Sequence, residues 1–217
     1  NTSGWYFHHR DFYDNYSADG TKVYLGEWAS KGNNVSNALI EAAYLTNVER
    51  NADVVVMSSY APLLAKEGHT NWNPDMIYFN NTEVKPTANY YVQRAFGQNS
   101  GDTYVYSDLS VNLDNVKGAA RHDIPNRIDK SVVIDSSTGD MIIKLVSLLP
   151  CAANVTLDGI GAEQRNAVVT MLTSSGAPDK ERSWTTDTVN NMMVKDNTVV
   201  SLPAYSFVII RIPAARK

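Results

Sequence analysis

The chain has 217 residues, 43% of them apolar, with 12 Tyr and 4 Trp, which is enough to bury a sizeable core in one or two domains and excludes a disordered chain. A formal net charge of -4 without a run of Lys or Arg speaks against nucleic acid or an anionic membrane as partner. The longest apolar stretch, Met141 to Leu149, falls far short of the ~20 residues a membrane helix needs. A single cysteine, Cys151, excludes an internal disulfide, and no Cys/His cluster has zinc spacing, so neither a metal nor another cofactor is expected.

Residues 1–20 are polar and aromatic, and Trp5, Phe7, Phe12, Tyr13 and Tyr16 suit a loop leading into a short helix that Ala18-Asp19-Gly20-Thr21 ends. Val23-Tyr24-Leu25-Gly26-Glu27-Trp28 then reads as a buried parallel strand that carries an acid. Burying a bare carboxylate costs roughly several kcal/mol, so Glu27 belongs at the strand's exit. Carboxyl ends of parallel strands are where α/β sheets bind ligands and where barrels place catalytic side chains. Glu27 is therefore the first candidate for chemistry, the alternative being an exposed loop acid or half of a structural ion pair.

Ser36 can cap a helix whose residues Leu39, Ala42, Ala43 and Thr46 form one apolar face, ending near Asn47 to Asn51. Asp53 to Ser59 is a second buried strand, so residues 23–59 make a strand, helix, strand unit with both strand ends pointing the same way. Tyr60-Ala61-Pro62-Leu63 then emerges beside Glu27 and opens a long polar loop with His69, Asn71 and Trp72. Met76 to Phe79 is a brief extended piece, and Thr87 to Phe96 has helical spacing. From Asp102 the character changes to short strands (Val132 to Ile134, Met141 to Leu149, Asn154 to Leu157, Ala167 to Leu172, Val199 to Leu202, Tyr205 to Ile212) divided by Gly, Pro, Asn and Asp. That spacing without helices predicts an antiparallel β-sandwich. The fold class is thus α/β over residues 1–101 followed by all-β over residues 102–217.

Several segments in order carry a family resemblance: Tyr13-Asp14 with Tyr16, Val23 to Ala29, Ala38 to Leu45, Glu49 to Val55, Ser59 to Leu63, Trp72 to Phe79, Tyr90 to Gln93, Lys144 to Ser147 and Leu202 to Ile209. In these the chain resembles the C-terminal part of the family 51 glycoside hydrolases, the α-L-arabinofuranosidases. The resemblance implies the C-terminal part of a (β/α)8 TIM barrel, with residues 23–28 and 54–58 as its seventh and eighth strands, followed by a jelly-roll-like β-sandwich. It makes Glu27 the catalytic nucleophile of an enzyme that removes terminal α-L-arabinofuranosyl groups from arabinan or arabinoxylan with retention, so the expected partner is an arabinose-containing polysaccharide or oligosaccharide. Such a setting suits a secreted or periplasmic protein, and the chain reads as a mature form or an excerpt of a longer one.

Retention needs two carboxyls ~5–5.5 Å apart. The Gly-Asn-Glu run that holds the family's acid/base does not occur in these residues, so the 217-residue chain alone is expected to be inactive. Pro62 stands where shorter bacterial members have Gln, and no sugar-binding role is carried onto it. Tyr60 and Trp72 are the candidate substrate contacts, Trp72 equally a packing residue; Trp28, next to the nucleophile, is read as packing. The unpaired apolar edge of Val23 to Trp28 is expected to invite self-association into a homo-oligomer. Two alternatives stay open: the same architecture with xylosidase or endoglucanase specificity, or a non-catalytic carbohydrate-binding sandwich.

Overall fold

The computed structural model describes residues 1–112 and 123–215. The chain folds as two compact units, Asn1–Gln98 with Ala177–Trp184, and Asn99–Gly176 with Thr185–Lys217. The division drawn from sequence at 101/102 differs from this one in residues 99–101 and in the segment 177–184.

In the first unit, helix α1 (Ser3–His8) begins at Thr2, whose hydroxyl accepts from the Trp5 amide at 3.2 Å. Strand β1 (Val23–Trp28) and strand β2 (Val55–Tyr60) pair in parallel and are joined by helix α2 (Val35–Arg50). Short strands β3 (Leu64–Lys66), β4 (Ile77–Phe79) and β5 (Val84–Pro86) form a separate three-stranded sheet, and helix α3 (Ala88–Gln98) follows. Helix α2 is the centre of this unit. Val35, Ala38, Leu39, Ala42, Ala43 and Tyr44 are all essentially inaccessible, so the helix is covered nearly all round, as an element dominated by small apolar residues permits.

The cap of α2 is Asn34, whose side chain accepts from the Asn37 amide at 2.9 Å, and not Ser36 as the sequence suggested. The first amides of a helix have no partner within it. Here Val35 N donates to the Glu181 carbonyl (2.9 Å) and Ser36 N to that of Pro178 (3.1 Å), while Asn34 Nδ2 donates to Asp179 O (3.1 Å). Trp184 Nε1 likewise donates to Ala88 O at 3.1 Å. These bonds are why residues 177–184, Trp184 among them, count with the first unit.

The two strands expected to be buried are largely exposed: only Trp28 in β1 and Val55 in β2 are fully covered, and Tyr24, Val56 and Met57 are each more than half accessible. The reason is that β1 and β2 form a two-stranded sheet with no further neighbour among the described residues.

The second unit is antiparallel. A six-stranded sheet runs in the order β11 (Thr186–Val194), β10 (Arg165–Thr173), β13 (Ser206–Ile212), β8 (Asp140–Ser147), β7 (Ile128–Asp135), β6 (Thr103–Tyr104). Strands β9 (Ala153–Leu157) and β12 (Thr198–Leu202) pair as a second sheet. Alternate residues from both meet in one core: Ile143 and Leu145 of β8, Ala167 and Val169 of β10, Val208 and Ile210 of β13, Leu157 of β9, Val200 and Leu202 of β12. Burial of these aliphatic side chains holds the unit together, since each one so covered contributes about 1.5–3 kcal/mol relative to exposure.

Candidate active site

The exit of β1 is irregular in a way that singles out Glu27. Leu25 pairs with Ser58 and Trp28 with Tyr60, so three steps along β1 match two along β2 and an extra residue is bulged out at Gly26-Glu27. A bulge breaks the alternation and re-aims a side chain. Gly26 and Glu27 are accordingly both exposed, whereas Trp28 is 3% exposed and packs edge-on against Tyr6 and Tyr60 and obliquely against Tyr44. Glu27 reaches this position with φ at +52°, a left-handed backbone conformation that costs a residue with a Cβ about 1–3 kcal/mol and persists only where its surroundings over-determine it.

Behind this exit lies Glu41, a carboxylate with no accessible surface on α2. Its Oε1 accepts from Ser30 N at 2.8 Å, Ser30 Oγ at 2.9 Å and the Tyr60 hydroxyl at 3.2 Å. Asn37, one turn earlier on α2, donates its Nδ2 to Ser30 Oγ at 3.1 Å, so that hydroxyl both accepts and donates. Asn37 can lie there because residue 32 is glycine: a Cβ at Gly32 would stand 2.3 Å from Asn37 Oδ1. Burial pushes the Glu41 carboxyl from 4.5 up to about 7, against the opposing pull of the Asn89 amide, the two Ser30 donors and Tyr60. The Asn89 contact is looser than a formed hydrogen bond, since Glu41 Oε2 and Asn89 Nδ2 are both buried without a bonded partner; we read it as electrostatic. Burial, and then the Glu41 charge, raise Tyr6 to about 12 and push Tyr60 further still.

Tyr60, expected just beyond the second strand and beside Glu27, is the last residue of β2, paired with Trp28 and with its hydroxyl donating to Glu41. Trp72 lies in the loop between β3 and β4. Its backbone is pinned at both ends by Thr70, which accepts from Trp72 N (3.2 Å) and donates to Trp72 O (2.6 Å), and the residue is 72% exposed. No hydrogen bond or ring contact joins it to Glu27 or Tyr60. Beside that loop, Asn33 donates to Asp75 O (3.0 Å), and the Tyr78 hydroxyl accepts from Asp75 N (2.9 Å) and donates to Asn73 Oδ1 (3.2 Å). Asn33, Asn73 and Tyr78 border a cavity of about 320 Å³ that Lys85 and Arg182 also line.

Sequence reasoning missed Glu41, Ser30 and Asn37. The available signal was an acid inside Ala38-Leu39-Ile40-Glu41-Ala42-Ala43, a helix covered nearly all round, where an unpaired charge is costly.

The sequence profile of the α-L-arabinofuranosidase C-terminal domain matches residues 15–206. The chain is 48% identical over 114 residues to the extracellular exo-α-L-arabinofuranosidase of Streptomyces chartreusis, covering 52% of this chain and 14% of that protein. It is 31% identical over 210 residues to α-L-arabinofuranosidase 1 of Arabidopsis thaliana, covering 90% of this chain and 30% of the relative. The fold matches an arabinose-bound MgGH51 α-L-arabinofuranosidase with a TM-score of 0.82 at 24% identity, over 99% of this chain and 36% of that one, and the Thermotoga maritima α-L-arabinofuranosidase with a TM-score of 0.70 at 15% identity, over 95% and 46%. The chain belongs to the α-L-arabinofuranosidase C-terminal domain family. It spans less than a third of the length of these two curated relatives.

Proposed function

We propose that this chain is the C-terminal portion of a retaining α-L-arabinofuranosidase acting on arabinan- or arabinoxylan-type glycans, with β1 and β2 as the last two strands of a (β/α)8 barrel and Glu27 as the nucleophile. The observation that carries the reading is the bulge at Gly26-Glu27: it turns one carboxylate out at the exit of a parallel strand, in a strained conformation of the kind that clusters at working sites.

In the reaction a Glu27 carboxylate oxygen attacks the anomeric carbon while the bond to the leaving oxygen breaks, and a second carboxyl protonates that oxygen. The same second group then takes a proton from water as the water attacks the glycosyl ester and frees Glu27. Two inversions give net retention. The second carboxyl belongs to the family's Gly-Asn-Glu run, which these 217 residues do not contain. Trp72, with its face open, is suited to stacking on a sugar ring, and Tyr60 borders the same exit.

Aryl glycosides presented to the full-length enzyme test the specificity: nitrophenol should be released from the α-L-arabinofuranoside, and release from the xyloside alone would refute it. Glu27→Ala should be inactive and should regain turnover with azide, giving the inverted glycosyl azide. The 217-residue chain by itself should be silent, because losing a general acid removes typically 10²- to 10⁴-fold of rate and the missing barrel contacts remove transition-state binding. Turnover by this chain alone would mean that a second carboxylate within it does the work.

A further inference from the structure

A carboxylate buried in an apolar helix is costly, roughly several kcal/mol per uncompensated charge even after relaxation. Nothing in the packing of α2 demands one at position 41, since its neighbours Ala38, Leu39, Ala42 and Leu45 are simple apolar fillers. What Glu41 does is local and specific. One of its oxygens gathers donors from two strand exits: the amide and hydroxyl of Ser30, three residues beyond Glu27, and the hydroxyl of Tyr60, the last residue of β2. The Ser30 hydroxyl cannot swing away, because Asn37 on the same helix donates to it.

Glu27 thus lies between two fixed points. On one side the β1–β2 ladder holds Leu25 against Ser58. On the other the α2 carboxylate holds Ser30, with Trp28 seated between them among Tyr6, Tyr44 and Tyr60. A left-handed, non-glycine residue keeps such a conformation only under constraint from both flanks, and Glu41 is the downstream constraint. Facing it are Tyr6 from α1, Tyr60 from β2 and Asn89 from α3.

We propose that Glu41 is a positioning residue: through Ser30 and Tyr60 it ties the exits of β1 and β2 to α2 and thereby fixes where the Glu27 carboxylate stands. This rests on Glu27 being the nucleophile. A shift of about 1 Å in a reacting group is enough to cost ~10²-fold in rate. Positioning should therefore show in kcat, with substrate binding spared.

The test uses the full-length enzyme and an aryl glycoside that it cleaves. Glu41→Gln, which keeps a buried acceptor but not the charge, should lower kcat about 10- to 100-fold with KM changed less than about twofold. Amide exchange at Ser30 should accelerate at least about tenfold while the amides of Val35–Arg50 keep their protection. Ser30→Ala and Tyr60→Phe each remove a single donor and leave the carboxylate in place; each should give a smaller fall in kcat, and they decide the matter if Glu41→Gln does not fold. An active wild type whose folded variants keep full kcat, lose only KM, or leave Ser30 exchange unchanged overturns the positioning role alone. A wild type that cleaves no glycoside overturns the functional reading, and the positioning role with it.

Discussion

Tyr60 stands directly across from Trp28 in the parallel pair, ring centroids 5.9 Å apart at 63°, so the end of β2 is keyed to the residue that follows Glu27. The same tyrosine reaches Glu41 with its hydroxyl. The exits of both strands are therefore held by one aromatic ring and one buried acid.

Replacing Glu27 by asparagine should stabilise the fold while abolishing catalysis. Asparagine tolerates the left-handed region better than glutamate, and the φ of +52° at this position is retained. A gain of about 0.5–1 kcal/mol is expected in urea unfolding. Lower stability in Glu27→Asn than in wild type would show that the bulge is not strained.

Glu41 should make stability pH-dependent in a defined direction. Its carboxyl is raised from 4.5 to about 7 on folding, so between those values the folded chain binds a proton that the unfolded chain does not. Stability from this group is thus intact below about pH 4.5, falls as pH rises to about 7, and is level above, by roughly 3 kcal/mol in all. Glu41→Gln should remove that slope. Parallel stability curves for wild type and variant between pH 4.5 and 8 would contradict the assignment.

The second unit should show the opposite dependence at low pH. Arg211 of β13 bonds Asp140 at 2.7 Å and Asp135 at 2.6 Å across the turn that joins β7 to β8. Hydrogen bonds from Ser137, then from Arg211, hold the Asp135 carboxyl down at about 2. Stability from this pairing is present above the ordinary aspartate range and is lost as pH falls toward 2. Arg211→Met should therefore shift acid unfolding to higher pH, as followed by near-ultraviolet circular dichroism; an unchanged acid midpoint would mean the pairing adds nothing.

Gly32→Ala should destabilise the first unit by about 1–3 kcal/mol, because the new methyl would stand 2.3 Å from Asn37 Oδ1 and must push that side chain off Ser30. Thermal unfolding measures the loss. A neutral substitution would mean that Asn37 has another rotamer available at no expense.

Much of this was legible in the residues. The near-continuous apolar runs of Met141 to Leu149 and Tyr205 to Ile212 marked the central strands of the larger sheet, which are buried on almost every residue, and a lone acid at the end of Val23 to Leu25 singled out Glu27. Strand β11 escaped because Thr186-Asp187-Thr188-Val189-Asn190-Asn191 is polar on both faces, as befits an edge strand that among the described residues pairs only with β10. The bulge was hinted at by Gly26 within a strand, though only the register with β2 reveals it. The start of α2 could not be chosen between Asn34 and Ser36 from local preference, since both are cap formers; carbonyls from the distant segment 177–184 decide it. Glu41 was hidden for a similar reason, its meaning resting on a serine eleven positions away and a tyrosine nineteen.

That distant segment also sets a clock on synthesis. Asn34 is 145 positions from the Asp179 carbonyl it bonds, so when α2 leaves the ribosome the groups that complete its first turn do not yet exist. At ~5–20 residues per second they arrive on the order of ten seconds later. Through that interval the helix that carries Glu41 is held only by neighbours from residues 1–98, and a nascent chain halted before Ala177 should show the amides of Val35 and Ser36 exchanging freely while those deeper in the helix are already slow.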